Sequence, residues 1–167
     1  GQETDFHTFT AQAGERWYFN LQQIDNGDGT WRVIGPLGQQ VAWNYLSGSG
    51  DIEATLPQSG TYVVMIEGQT YNAAANNYRC TAQKITDVAA PLAIGATVSG
   101  NIAMAGQRDT YSFALGERTK LVFDTLSDAN LNWTLTGPRG VVVNDRTFRG
   151  SDANDFGGNP LLDLAAG

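Results

Sequence analysis

Apolar and polar positions alternate along much of the chain. Single residues separate Trp17, Phe19 and Leu21, then Tyr62, Val64 and Ile66, then Tyr78, Cys80 and Ala82. Tyr111, Phe113 and Leu115 repeat the pattern, and so do Leu131, Trp133 and Leu135. A period of two places such side chains on one face of a strand. No segment keeps an apolar helical period between caps, so no long helix is expected. Clusters of Gly, Asn, Asp and Pro ("DNGDG", "SGSGD", "YNAAANN", "SDANDFGGN") punctuate the runs where turns belong. The pattern predicts an all-β chain.

The same phrases occur twice. "WRVIGPLG" at Trp31–Gly38 and "WTLTGPRG" at Trp133–Gly140 share the skeleton W-x-x-x-G-P-x-G. Upstream, Asp5 matches Asp109, Phe9 matches Phe113, Phe19 matches Phe123 and Asn20 matches Asp124, all 104 residues apart. From Trp31 and Trp133 onward the separation is 102. Downstream, "ATLPQSG" ending at Gly60 resembles "LDLAAG" ending at Gly167. A repeat of this length suits tandem small domains. The repeated phrase reads as strand, tight turn, strand: the tryptophan lies late on the first strand and fills a core, and G-P-x-G reverses the chain. The expectation is two antiparallel β-sandwich modules, residues 1–85 and 86–167, joined through "TDVAAPLAIG".

The two copies are incomplete in opposite ways. The second has an extra strand-like segment, Ala96–Met104, before Asp109, and the first has no room for one before Asp5. The first continues beyond Gly60 through "TYVVMIEG" and "NNYRCTAQKI"; the second reaches Gly167 without counterparts. The first module is therefore expected to lack its first strand and the second its last two. Open edges expose unpaired N–H and C=O groups. Either the chain is a piece of a longer array, or strands come from elsewhere by β-strand addition, with neighbouring repeats or copies of itself as partners.

Composition narrows the function classes. The net charge is −7, and only two of the ten basic residues are lysines. Phosphate recognition needs clustered Lys and Arg, so nucleic acid is not an expected partner. No apolar run reaches the length of a membrane helix, and no membrane insertion is expected. Gly1 is not preceded by a signal peptide, which reads as a mature chain or an excised piece. Cys80 is the only cysteine and has no internal disulfide partner. Little lysine with much Gly, Asn, Thr and Asp points to an extracellular β-protein.

These features together resemble the bacterial pre-peptidase C-terminal domain. The resemblance rests on Gly100 and Ile102, on Asp109, Tyr111 and Phe113, on the tryptophan with its G-P-x-G turn, and on Leu56, Gly60, Tyr62, Val64, Ile66 and Gly68. His7 stands where the motif has tyrosine, and the second copy lacks the final motif. The resemblance implies a compact, jelly-roll-like β-sandwich without catalysis of its own. Such domains follow catalytic domains of secreted proteases or stand in tandem in large adhesin-like surface proteins. They act as spacers, or as modules that bind collagen or polysaccharide, and some bind calcium. Carried onto this chain, the calcium ligands are Asp87 and Asp109 in copy two, with Glu3 and Asp5 in copy one.

Reactive chemistry is sparse. Nucleophilic catalysis needs a base beside Ser or Cys, yet His7, the only histidine, sits at a core-equivalent or rim position of a strand. There is no G-x-S-x-G elbow. Cys80 reads as a small buried hydrophobe. One His and one Cys do not make a zinc site. Calcium is the one cofactor expected; the oxygen-rich loops at Asp25, Asn26 and Asp28 and at Asp152, Asn154 and Asp155 are further candidates, although a polar turn is the favoured reading of each. Trp43, Tyr45 and Tyr71 lie near turns and are the candidate ligand-binding aromatics. The functional expectation is a non-catalytic extracellular spacer, scaffold or adhesive segment of a large bacterial secreted or surface protein. The alternatives are a calcium-dependent module for collagen, glycan or peptide, and an accessory domain of a secreted peptidase.

Overall fold

A computed structural model describes residues 3–25, 29–47, 50–72, 74–151 and 161–167. The strands are β1 (Thr4–Ala11), β2 (Arg16–Ile24), β3 (Thr30–Ile34), β4 (Gln40–Tyr45), β5 (Ile52–Thr55), β6 (Gly60–Glu67), β7 (Tyr78–Lys84), β8 (Val88–Pro91), β9 (Asp109–Ser112), β10 (Thr119–Val122), β11 (Asn132–Gly137), β12 (Gly140–Thr147) and β13 (Leu161–Leu164). The one helical element among the described residues is a 3-10 turn at Arg149–Ser151. The chain is all-β, as the alternation predicts. It divides into two compact units, Gly1–Ala90 with Thr97–Thr110, and Pro91–Ala96 with Tyr111–Gly167.

In the first unit two sheets face each other. One has the order β1-β6-β3-β4 and the other β5-β2-β7. The pairings within them are antiparallel. Alternation decides which residues meet. Tyr62, Val64 and Ile66 of β6 point inward with Trp31 and Val33 of β3, and Phe19 and Leu21 of β2 close from the other sheet. Phe19 and Val33 are fully buried, and Trp31 is 1% exposed. The rings of Phe19 and Trp31 meet edge to face at 6.4 Å, a favoured geometry. Burying an indole N–H demands an acceptor, and Trp31 Nε1 donates to the Gly50 carbonyl at 2.8 Å.

Both G-P-x-G phrases are tight turns between paired strands. In the first, the Gly38 N–H donates to the Gly35 carbonyl at 2.9 Å and Gly38 has φ +79°. Positive φ is cheap only for glycine. Glycine is required for a second reason at Gly60, where φ is +147° and a Cβ would stand 2.7 Å from Pro36 Cγ.

In the second unit β10 pairs with β13 and β11 with β12, both antiparallel. Val143, Leu162 and Leu164 are buried, whereas Phe113, Leu115, Leu121, Phe123, Trp133 and Leu135 pack against them only half-buried. Phe123 and Trp133 stack face to face at 3.8 Å. The Trp133 indole donates to Ser151 Oγ, which is fully buried and donates in turn to the Thr147 carbonyl.

Several local expectations need correction. Ala96–Met104 is not a strand; β8, earlier in the chain, is the segment that pairs with β9. That ribbon runs parallel, because Val88 N–H meets the Arg108 carbonyl and Leu92 N–H meets the Ser112 carbonyl. Gly95 and Gly106, both at positive φ, bracket the expected strand and turn it into a loop. Trp31 and Trp133 stand second on their strands, not late. Cys80 is half-buried and Ala82 exposed, because β7 is an edge strand.

Asp51 ties β2 to the start of β5. Its carboxylate accepts from the Tyr18 hydroxyl, the Leu21 N–H at 2.8 Å and the Asn20 amide at 3.2 Å. Partial burial raises its pKa, but these donors outweigh burial and leave it below the usual value of 3.8. Stability from this carboxylate is complete above that unfolded-state value and drains away as pH falls through the lower folded value. Melts at about pH 5 and about pH 2.5 should show a smaller acid loss in Asp51→Asn than in the parent chain. Phe19→Ala should cost about 3–5 kcal/mol in denaturant unfolding, and Phe123→Ala about half of that, because the second ring is only half-buried.

Candidate functional site

Because Tyr62, Val64 and Ile66 face the core, Val63, Met65 and Glu67 face outward. The same parity turns Thr30, Arg32 and Ile34 of β3 away from buried Trp31 and Val33. Register then assembles a row across the four-stranded sheet: Phe6 opposite Met65, Met65 opposite Arg32, Arg32 opposite Trp43. The next row is Thr4, Glu67, Thr30 and Tyr45. Phe6, Trp43 and Tyr45 are 64%, 48% and 56% exposed.

Trp43 and Tyr45 project from edge strand β4 on the same side, with ring centroids 5.1 Å apart and planes at 76°. Arg32 is fixed between the aromatics by Glu67, Nε to Oε2 at 2.9 Å, and Thr30 Oγ1 donates to the same carboxylate at 3.3 Å. The arrangement is a flat face that offers aromatic edges, a held guanidinium and an acceptor carboxylate. Tyr71, 75% exposed in the connection after β6, belongs to neither row. Phe6, Met65 and Arg32 escape a reading that follows only the core-facing alternation; their signal is the opposite parity of the same strands.

The remaining candidates are engaged in local bonds. Tyr78 donates its hydroxyl to Asp5 Oδ2 at 2.7 Å, and His7 Nε2 lies 3.0 Å from that hydroxyl. His7 is exposed at the rim, not in the core. Burial first, and Asp5 second, push the Tyr78 phenol well above its usual value. The Cys80 thiol is likewise raised by burial, the opposite of what a nucleophilic thiol needs. The Glu3 carbonyl accepts from Gly68 N–H. Asp109 accepts from Gln107 Nε2 at 2.9 Å, and Asp25 from Asn77 Nδ2 at 2.7 Å. Asn26, Asp28, Asp152, Asn154 and Asp155 lie outside the described residues. Among the described residues no three of His, Cys, Asp and Glu gather as an ion-holding group.

Asp87 belongs to a charged clasp. It pairs with Arg16 and accepts from the Arg108 N–H at 2.9 Å, and these bonds hold its carboxyl below the usual range. Arg16 also donates to Glu53 and to the Gly106 carbonyl at 2.7 Å, and Arg108 reaches Glu53 at 3.1 Å. The guanidinium fork thereby pins the Thr97–Thr110 segment onto the sheets of the first unit. The depression beside it, about 510 Å³ and lined in part by Ala13, Arg16, Lys84 and Asp87, opens widely to solvent.

No family model matches the chain. No curated protein matches it either. Among solved structures it is similar to that of Aeromonas hydrophila PliG, a periplasmic lysozyme inhibitor of g-type lysozyme. The identity is 21% over 49% of this chain and 75% of that one, with a TM-score of 0.42.

Arg16→Ala should speed amide exchange across residues 97–108 while the amides of β3 and β6 keep their protection. Equal acceleration in all three segments would show that Arg16 supports the whole sandwich and not the clasp.

Proposed function

We propose that the chain is a non-catalytic extracellular part of a large bacterial secreted or surface protein, two tandem sandwich modules of pre-peptidase C-terminal type serving as scaffold and as adhesive segment. The observation that carries the adhesive reading is the exposed face built on Phe6, Arg32, Trp43 and Tyr45. A polar, acidic chain that keeps two adjacent aromatic rings in water presents a stacking surface for sugar rings or for the proline-rich ridges of a collagen-like polymer. Burial makes the Cys80 thiol hold its proton more tightly than usual, which weighs against nucleophilic chemistry at the one cysteine.

Binding to immobilised collagen and to a panel of glycans tests this reading. The parent chain should be retained on one polymer class. Trp43→Ala with Tyr45→Ala should lose about tenfold in affinity at unchanged melting temperature. Retention that survives the double substitution, or no retention on any polymer, would remove the adhesive role.

Calcium dependence is a separate part of the reading, with Asp87, Asp109, Glu3 and Asp5 as proposed ligands. Melting with calcium and with chelator decides it. A rise of several degrees supports a bound ion, because a ligand of the native state alone stabilises by mass action. Superimposable curves remove calcium.

A further inference from the structure

An antiparallel sheet with one face in water alternates apolar and polar residues, and a strand covered on both faces reads as an unbroken apolar run. β6 has the second pattern: Tyr62, Val63, Val64, Met65 and Ile66 are consecutive. Val63 stands opposite Ile34 on the outward side, and both are only half-buried. With Met65 they form an apolar floor between Phe6 on β1 and Trp43 on β4. The central strand is thus apolar on the side that faces water as well as on the side that faces the core.

Size rules out a protein-sized occupant. Phe6 and Trp43 lie in one row on the two outer strands of the sheet. Adjacent strands are about 4.8 Å apart, so three spacings put these residues about 14 Å from each other. From Thr30, opposite Tyr45, along β3 to Ile34 is about 13 Å. Such a patch is well short of the roughly 800 Å² that each partner gives to a stable protein interface. It fits one extended chain laid across the strands. Charge narrows the choice. Arg32 and Glu67 pair at 2.9 Å in the middle of the face and cancel there, while the whole chain carries −7. That field repels a polyanion. A proline-rich strand offers carbonyl acceptors and almost no donors, so it would strip water from the Glu67 carboxylate without replacing it. Sugar hydroxyls both donate and accept, and satisfy the guanidinium and the carboxylate together. A pyranose ring also lays a flat C–H face on the electron-rich face of an aromatic ring.

We infer that the row Phe6, Met65, Arg32 and Trp43 is a binding strip for a neutral, flat, β-1,4-linked pyranose chain that lies across the strands. One sugar ring stacks on Trp43 and a more distant one covers Phe6. Between them Arg32 donates to ring hydroxyls and Glu67 accepts from them. Arg32 is the specificity-determining residue, and Glu67 both holds it and reads the neighbouring hydroxyl. Two platforms about 14 Å apart serve an oligosaccharide and not a single sugar. The inference rests on the adhesive reading of this face and names its ligand class.

The test is titration calorimetry of the full 167-residue chain with β-1,4-linked glucose and N-acetylglucosamine oligosaccharides, from disaccharide to hexasaccharide. Oligogalacturonate and a collagen-like triple-helical peptide are the comparison ligands. One of the two neutral series should bind, about tenfold more tightly as hexasaccharide than as disaccharide. Trp43→Ala should weaken every length about tenfold, and Phe6→Ala should weaken the hexasaccharide alone. Glu67→Gln should weaken the neutral chain severalfold, all at unchanged melting temperature. Binding of the collagen-like peptide without either neutral series overturns the inference and leaves the adhesive reading standing. Tighter binding of oligogalacturonate, strengthened by Glu67→Gln, overturns it in favour of an acidic glycan. Affinity independent of chain length overturns the two-platform strip. Binding to none of the four ligands overturns this inference and the adhesive reading together, and a Trp43-dependent dimer in light scattering overturns it in favour of a second copy.

Discussion

The first unit depends on one strand having two neighbours. β6 lies between β1 and β3, so its backbone is paired along both edges while Tyr62, Val64 and Ile66 fill the space beneath Phe19 and Trp31. Pairing and burial reinforce each other there: a slip of one residue would turn Tyr62 to water and Met65 into the core. Gly60 sets where that register starts, because its positive φ and its contact with Pro36 exclude any side chain. The position of every other residue of the sheet, including the outward rows, follows from this choice of phase.

The outward face shows the same constraint from its other side. Trp43 and Tyr45 are adjacent because residues two apart on a strand share a face, and β4 is at the edge of its sheet. Arg32 stands opposite Trp43 because β3 is locked to β6. The charged groups follow a different logic. The shifts at Asp51 and Asp87 come from donors that anchor loops and strand starts.

Much of this was legible in the residues. The inward alternation of β2 and β6 and the G-P-x-G turns were readable because core burial and positive-φ turns impose strict local rules. The exposure of Trp43, Tyr45 and Tyr71 was a weaker inference from nearby turn residues. Ala96–Met104 looked like a strand because Val98 and Ile102 sit amid small residues, but both are exposed and no partner strand claims them. Arg16 could not be read as a clasp, since its partners Glu53, Asp87 and Gly106 come from three distant segments. The rows across the sheet were also hidden, because register between strands is a property of pairing and is not written in any one strand.

The clasp has a consequence for how the chain is laid out. The polypeptide leaves the first unit after Ala90, visits the second for six residues, returns for Thr97–Thr110, and only then departs for good. The two bodies are thus interleaved along the backbone, like threads crossed before a knot is drawn. No single scission can release either one whole: severing the chain after Ala90 strips Gly106 and Arg108 from Arg16 and Glu53, and severing it after Thr110 leaves Pro91–Ala96 behind.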